Sequence, residues 1–148
     1  MFKLILVPVD GSRTAMLAVD KAAGLAKAFG SRLLLVHVID QYPFVGVGTD
    51  YSFGQADYLA VATANANTAL DSATAALQAL GLPSERSTIE GHVVEDGILE
   101  TAKTSGADLI VMGSHGRHGI EKLLLGSVTQ RVLQHTSLPV LVVRGGEG

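Results

Sequence analysis

Three observations predict a doubly wound α/β fold, a parallel sheet with helices on both faces. Short runs rich in Val, Ile and Leu recur along the chain, stretches of helical period separate them, and the two kinds alternate without exception. Continuous apolar runs are what strands buried on both faces require, and both faces are buried in a parallel sheet. Right-handed crossovers then carry helices to the two faces.

The strong strand signals are residues 3–9, 32–39, 107–112 and the final strand from Leu138 to Val143. A fifth, 85–91, alternates more and is expected at an edge. The first helix is expected over 14–29, where Ala15, Val19, Ala22, Ala26 and Phe29 recur every three or four residues and form an inner face. Arg13, Asp20 and Lys27, seven apart, share the outer face, and Ser12 is placed to cap the helix. The alanine-rich stretch 53–80 predicts a helix of about 40 Å, at about 1.5 Å per residue, lying along the sheet and ended by Gly81 and Pro83. Helices follow over 94–104, through Val94, Ile98 and Ala102, and over 127–135, through Val128 and Val132. No linker divides this βαβαβαβαβ order, so residues 1–148 are expected to form one domain. Residues 41–52, with Pro43, Gly46 and Gly48, form the one long irregular segment, a flap rather than a boundary.

Composition narrows the function. At 148 residues and 47% hydrophobic content the chain can bury a sizeable core. Its formal charge of −3 comes from scattered acidic and basic residues, without the basic stripe that nucleic-acid binding needs. The absence of cysteine excludes disulfides, thiol nucleophiles and thiolate zinc sites, and fits a reducing compartment such as the cytoplasm. The apolar run 4–9 is too short for a secretory signal, and nothing approaches the roughly 18 apolar residues of a membrane span. A soluble protein is expected. The five histidines, 37, 92, 115, 118 and 135, have no metal-ligand spacing, and His37 is expected to pack beside the sheet.

The chemistry concentrates in MGSHGRHGIEKLLLGSVTQ, residues 112–130. In doubly wound sheets ligands bind beyond the carboxyl ends of the strands, where strand order reverses, and the first and fourth strands are the usual neighbours there. Asp10 and the loop from Gly113 would then face each other across one crevice. Gly113 and Gly116 leave space for backbone N–H groups to approach an anion, while Gly126 and Ser127 open a helix with a hydroxyl to hand. Two such donor nests would clamp a polyphosphate. The same glycines could instead make only a turn or hinge, and Ser127 could be no more than an N-cap. Arg117 and Lys122 could neutralise phosphate or lie on the surface, and His115 and His118 could be solvated loop residues. Neither a Walker lysine motif nor a dinucleotide fingerprint is present, since Gly46-Val47-Gly48 lacks the third glycine. Ser114 lacks the setting of a hydrolase nucleophile elbow.

The spacing G-x2-G-x9-G-[ST], with ILVPVDGS, LLLVHVID, ADLIVMGSHGR and GSVTQRVLQHTSLPVLVVR around it, resembles the universal stress protein family, in its ATP-binding branch. The resemblance spans the chain and is weakest across residues 41–81. It implies a homodimer of α/β subunits, each holding ATP with Mg²⁺, AMP and cAMP sharing the adenosine part. Carried over, Asp10 would meet the ribose or adenine side, with Pro8 and Val9 along that wall. Val38 would offer backbone hydrogen bonds to adenine. Met112 and Gly113 would lead into the phosphate loop, Gly116 would shape it, and Gly126, Ser127 and Val128 would close on the phosphates. The implied role is a nucleotide-dependent regulator in a stress response, with slow ATP hydrolysis or phosphotransfer, or a dimer with a degenerate site, as the competing readings. The last strand, apolar and hazardous if unpaired, is where a two-fold partner would add. On this reading valine at Gly113 or Gly126 would fill phosphate space and abolish binding without harming the fold.

Overall fold

The computed structural model describes residues 1–40, 51–116 and 124–145, with the side chains of 51–53 and 55 excepted. Residues 41–50, and with them most of the expected flap, as well as Arg117, His118, Glu121 and Lys122, lie outside the described residues.

Five strands and four helices follow one another as β1 (Leu4–Pro8), α1 (Arg13–Phe29), β2 (Arg32–Val38), α2 (Tyr51–Ala79), β3 (Glu85–Ile89), α3 (Val94–Ser105), β4 (Leu109–Gly113), α4 (Ser127–His135) and β5 (Val140–Val143). The sheet is parallel throughout, in the order β3-β2-β1-β4-β5, so β1 and β4 are neighbours and β3 is an edge, as the sequence predicts. Chain direction reverses its progress between β1 and β4, and a crevice opens above their carboxyl ends.

Alternation along the strands divides the core. Ile5, Val7, Leu33, Leu35 and Val111 face α1 and α2, while Leu4, Leu6, Val36, Ile110 and Met112 face α3 and α4. Each fully buried Leu, Ile or Val stabilises the fold by roughly 1.5–3 kcal/mol. Asp108 pins the start of the central pair: its carboxylate accepts from the backbone N–H of Lys3 at 2.9 Å and of Leu4 at 3.1 Å.

Helix α1 keeps most of the expected faces. Ala15, Val19, Ala22 and Ala26 are buried, and Arg13, Asp20 and Lys27 are exposed. Ser12 caps it, its hydroxyl accepting from Ala15 N–H at 3.2 Å, and Gly30 ends it at φ 68°. Phe29 departs from the inner face. It is 42% exposed and stacks edge-on against Phe2 at 5.6 Å, because the helix has by then run past the sheet.

Helix α2 corrects a second expectation, for only its carboxyl half lies along the core. Ala66, Ala69, Leu70, Ala73 and Leu77 are buried, whereas Val61 and residues 63–65 are exposed. The amino half rises past the strand ends instead. Alanine makes the buried half possible, since a small side chain lets the helix approach α1 and β2 closely.

Candidate functional site

A cavity of about 460 Å³ sits above the carboxyl ends of β1, β2 and β4. All ten positions singled out from the sequence line it: Pro8, Val9, Asp10, Val38, Met112, Gly113, Gly116, Gly126, Ser127 and Val128. Four separate stretches of chain supply them.

At one end the cavity is an apolar slot. Val36, Val38 and Ile39 form its floor, Val94 and Ile98 of α3 one side, and Val61 and Ala62 of α2 the other. Ile39 N–H donates to Ile89 O at 2.7 Å, toward β3, and Val9 N–H donates to Val36 O at 2.8 Å, from β1. Backbone groups alternate in direction along a strand, so the N–H and C=O of Val38 point to the β1 side, beyond the point where β1 has ended. Gly97 makes the slot possible in its present shape. A β-carbon there would lie 2.7 Å from both methyls of Val38, so α3 rests directly on that residue.

The α2 wall was invisible to sequence reasoning. Tyr58 and Asn65 line it as well, and Tyr58 donates its hydroxyl to Asp40 O at 3.0 Å. Burial first, and the nearby Asp40 charge second, push the Tyr58 phenol above its usual range, so it remains a donor. His37 also turns out to line the cavity rather than merely to pack beside the sheet. Its Nδ1 lies 2.9 Å from Val9 O. A carbonyl only accepts, so Nδ1 carries the proton. The odd residues of β2 face α2, and a histidine among them close to the strand's end was the available signal.

Asp10 stands in the middle. One carboxylate oxygen accepts from Ser12 N–H at 2.9 Å, and the other is 2.9 Å from where a β-carbon on Gly116 would lie. The aspartate and the glycine loop thus line the same crevice, but they meet directly at Gly116 rather than across a gap.

At the far end the loop meets α4. Gly126 is the N-cap residue, at φ −70° and ψ 162°, and Ser127 is the first helical residue. This corrects Ser127 as an N-cap. A glycine cap brings no side chain to the first-turn N–H groups of α4, which have no carbonyl within the helix to bind. Anions are favoured at such an end. Backbone bonds brace the loop: Ser114 N–H to Val143 O at 2.8 Å, and Gly126 N–H to Ser114 O at 2.7 Å. Thr129, buried, adds a hydroxyl bond to Gly113 O at 2.9 Å. Ser114 is itself buried, with its hydroxyl 3.1 Å from His115 Nδ1.

The glycines are demanded by protein contacts as much as by any ligand. A β-carbon on Gly113 would sit 2.6 Å from Thr14 Oγ1 and 2.9 Å from the Thr14 backbone carbon. The obstruction is helix α1, so the expectation that valine at Gly113 spares the fold is overturned. On Gly126 a β-carbon would meet His115 Cα and Ser114 O at 3.3 Å, tight but milder.

Among the described residues no group of three or more His, Asp or Glu is arranged to hold a metal, and no helix is long and apolar enough to cross a membrane.

The family model for the universal stress protein family matches residues 1–144. The chain belongs to the universal stress protein family. Universal stress protein MJ0531 of Methanocaldococcus jannaschii is 35% identical over 144 residues, covering 97% of this chain and 83% of the relative. The solved structure of MJ0577, a universal stress protein of the same organism, superposes with a TM-score of 0.85 at 29% identity, covering 100% of this chain and 99% of the other. A universal stress protein solved in complex with cAMP superposes with a TM-score of 0.61 at 26% identity, covering 96% of each chain. The five-stranded parallel sheet is thus the family's fold, and adenine-nucleotide binding occurs among its members.

Proposed function

We propose that this universal stress protein belongs to the ATP-binding branch and acts in the cytoplasm as a homodimeric, nucleotide-dependent regulator in a stress response. The observation that carries the reading is the polarity of one cavity, an apolar slot at one end and the glycine loop with the α4 N-terminus at the other. An adenine nucleotide has the same polarity. Adenine would enter the slot against Val38, whose backbone groups offer both a donor and an acceptor. Asp10 would accept from ribose hydroxyls, and Pro8 and Val9 would line that wall. Met112, Gly113 and Gly116 would shape the phosphate loop, with the first-turn N–H groups of Ser127 and Val128, behind Gly126, aimed at phosphate oxygens.

The cavity suits the ligand in chemistry as well as in shape. Its carboxylates, Asp10 and Asp40, lie beside β1 and β2, and the described residues at the α4 end carry none. Mg²⁺ would therefore arrive on the triphosphate, keeping water ligands, and would offset phosphate charge. The cAMP complex of a relative supports an adenosine pocket in this fold.

Regulation rather than rapid chemistry is the reading that the backbone donors of the described walls support. Backbone donors alone can bind a ground-state triphosphate as well as its transition state, and such uniform binding does not accelerate a chemical step. Mass spectrometry of small molecules released on denaturing the purified protein, with calorimetry against ATP, AMP, cAMP and GTP, tests the reading. Adenine nucleotides are expected to bind and GTP to bind at least about tenfold more weakly, a difference of about 1.4 kcal/mol. No binding of any adenine nucleotide would overturn it. A steady-state ATPase rate above about 1 s⁻¹, toward the range of dedicated enzymes, lost on Asp10→Asn, would replace the regulator by the hydrolase.

A further inference from the structure

We infer that Thr14, which does not line the cavity, is the positioning residue of its anion end: by holding the His115 carbonyl it turns the Gly116 N–H toward the cavity. Serine and threonine inside helices ordinarily bond back to the carbonyl four residues earlier. Thr68, Thr101 and Thr104 do so here, to Ala64, Gly97 and Glu100. Thr14, in the first turn of α1, has no helical carbonyl four residues before it, and its hydroxyl donates to the carbonyl of His115, 101 residues away. Its neighbours Ser12 and Ala15 reach the cavity, and Thr14 lies beneath the loop.

The consequence is a matter of peptide geometry. In a planar trans peptide the C=O and the following N–H point in opposite directions. Fixing the His115 carbonyl on Thr14 therefore directs the Gly116 N–H away from α1, and Gly116 lines the cavity. The contact is close on every side. Gly113 leaves no room for a β-carbon against Thr14, and a β-carbon on Gly145 would lie 3.5 Å from the Thr14 methyl. Thr129, from α4, holds the Gly113 carbonyl in the same manner. Two helix threonines thus grip alternate carbonyls of the glycine loop, and Thr14 is the one that sets a cavity-facing donor.

This inference rests on the nucleotide reading of the cavity, and the test separates the two. Calorimetry on the full chain would compare ATP and adenosine binding in wild type, Thr14→Val and Thr14→Ser, with thermal melts to verify folding. Thr14→Val keeps the shape and removes the hydroxyl. It is expected to weaken ATP binding about tenfold, as loss of a donor to a charged group does, and to leave adenosine binding within about twofold, below 0.5 kcal/mol. Thr14→Ser is expected to restore ATP binding. Should Thr14→Val not fold, Thr14→Ala serves the same comparison against Thr14→Ser. ATP binding unchanged in the folded variant, or adenosine lost in proportion to ATP, would overturn the inference alone. A wild type that binds neither ligand would overturn the nucleotide reading with it.

Discussion

Gly97 of α3 and Val38 of β2 are in such close register that a single added methyl would overlap both Val38 methyl groups, at 2.7 Å. Valine is branched at its β-carbon and has few rotamers to retreat into. The floor of the apolar slot is therefore set by a glycine on the helix behind it. Gly97→Ala is expected to destabilise the fold by about 1–3 kcal/mol through overpacking, lessened by alanine's helix preference of about 1 kcal/mol. Adenosine affinity should fall with it. Urea denaturation and calorimetry would check both, and an alanine variant equal to wild type in both would contradict the contact.

Gly116 offers the cleaner probe of the loop, because what a β-carbon would meet there is the end of a side chain, Asp10 Oδ2 at 2.9 Å. Gly116→Ala is expected to displace that carboxylate and weaken nucleotide binding about tenfold, as loss of a charged hydrogen bond would. Stability should change little. Gly113→Ala, pressed into the Thr14 backbone, is expected instead to lower stability by about 1–3 kcal/mol. Equal melting temperatures for the two variants would refute this division of roles.

Asp108 ties the start of β4 to the start of β1 with two hydrogen bonds from backbone N–H groups. The bond from Lys3 is the main cause holding its carboxyl below the usual carboxylate range. A depressed folded value contributes stability above the unfolded value, and that contribution disappears as pH falls through the folded one. Asp108→Ala is expected to cost about 1 kcal/mol at neutral pH, a modest figure because the site is only half-buried. The difference from wild type should shrink once pH drops below the usual carboxylate range. Denaturant titrations at several pH values would measure it, and a pH-independent difference would rule the carboxylate out as its source.

The β5 edge carries the dimer proposal. Pro139 O accepts from Ile110 N–H, and Val143 O from Ser114 N–H, so these two residues turn their backbone groups to β4 and Val142 turns its own to the open edge. Val142→Pro removes an outward donor while leaving the β4 ladder intact, a position where edge strands tolerate proline. Dimerisation is expected to weaken markedly with the monomer still folded. Sedimentation at micromolar concentration checks this, and a monomeric wild type would end the proposal.

The sequence by itself determined the element order, the parallel sheet with β3 at its edge and the ten residues that line one cavity. These are local or periodic properties. Buried strands must be continuously apolar, helices must repeat every three or four residues, and glycines spaced around a strand end mark backbone that needs room. What only the tertiary structure decided was which atoms occupy that room. The Gly113 signal looked the same whether a phosphate or Thr14 lay opposite, since a glycine records that space is taken and not by what. The α2 wall, with Tyr58 and Asn65, left no trace, because an alanine-rich helix has the same pattern whether its first half covers a sheet or rises past it. His37, Gly97 and Thr14 acquire their roles from residues 28 to 101 positions distant. Contacts over such separations are fixed by how α1, α2 and α3 pack on the sheet, which no local pattern encodes.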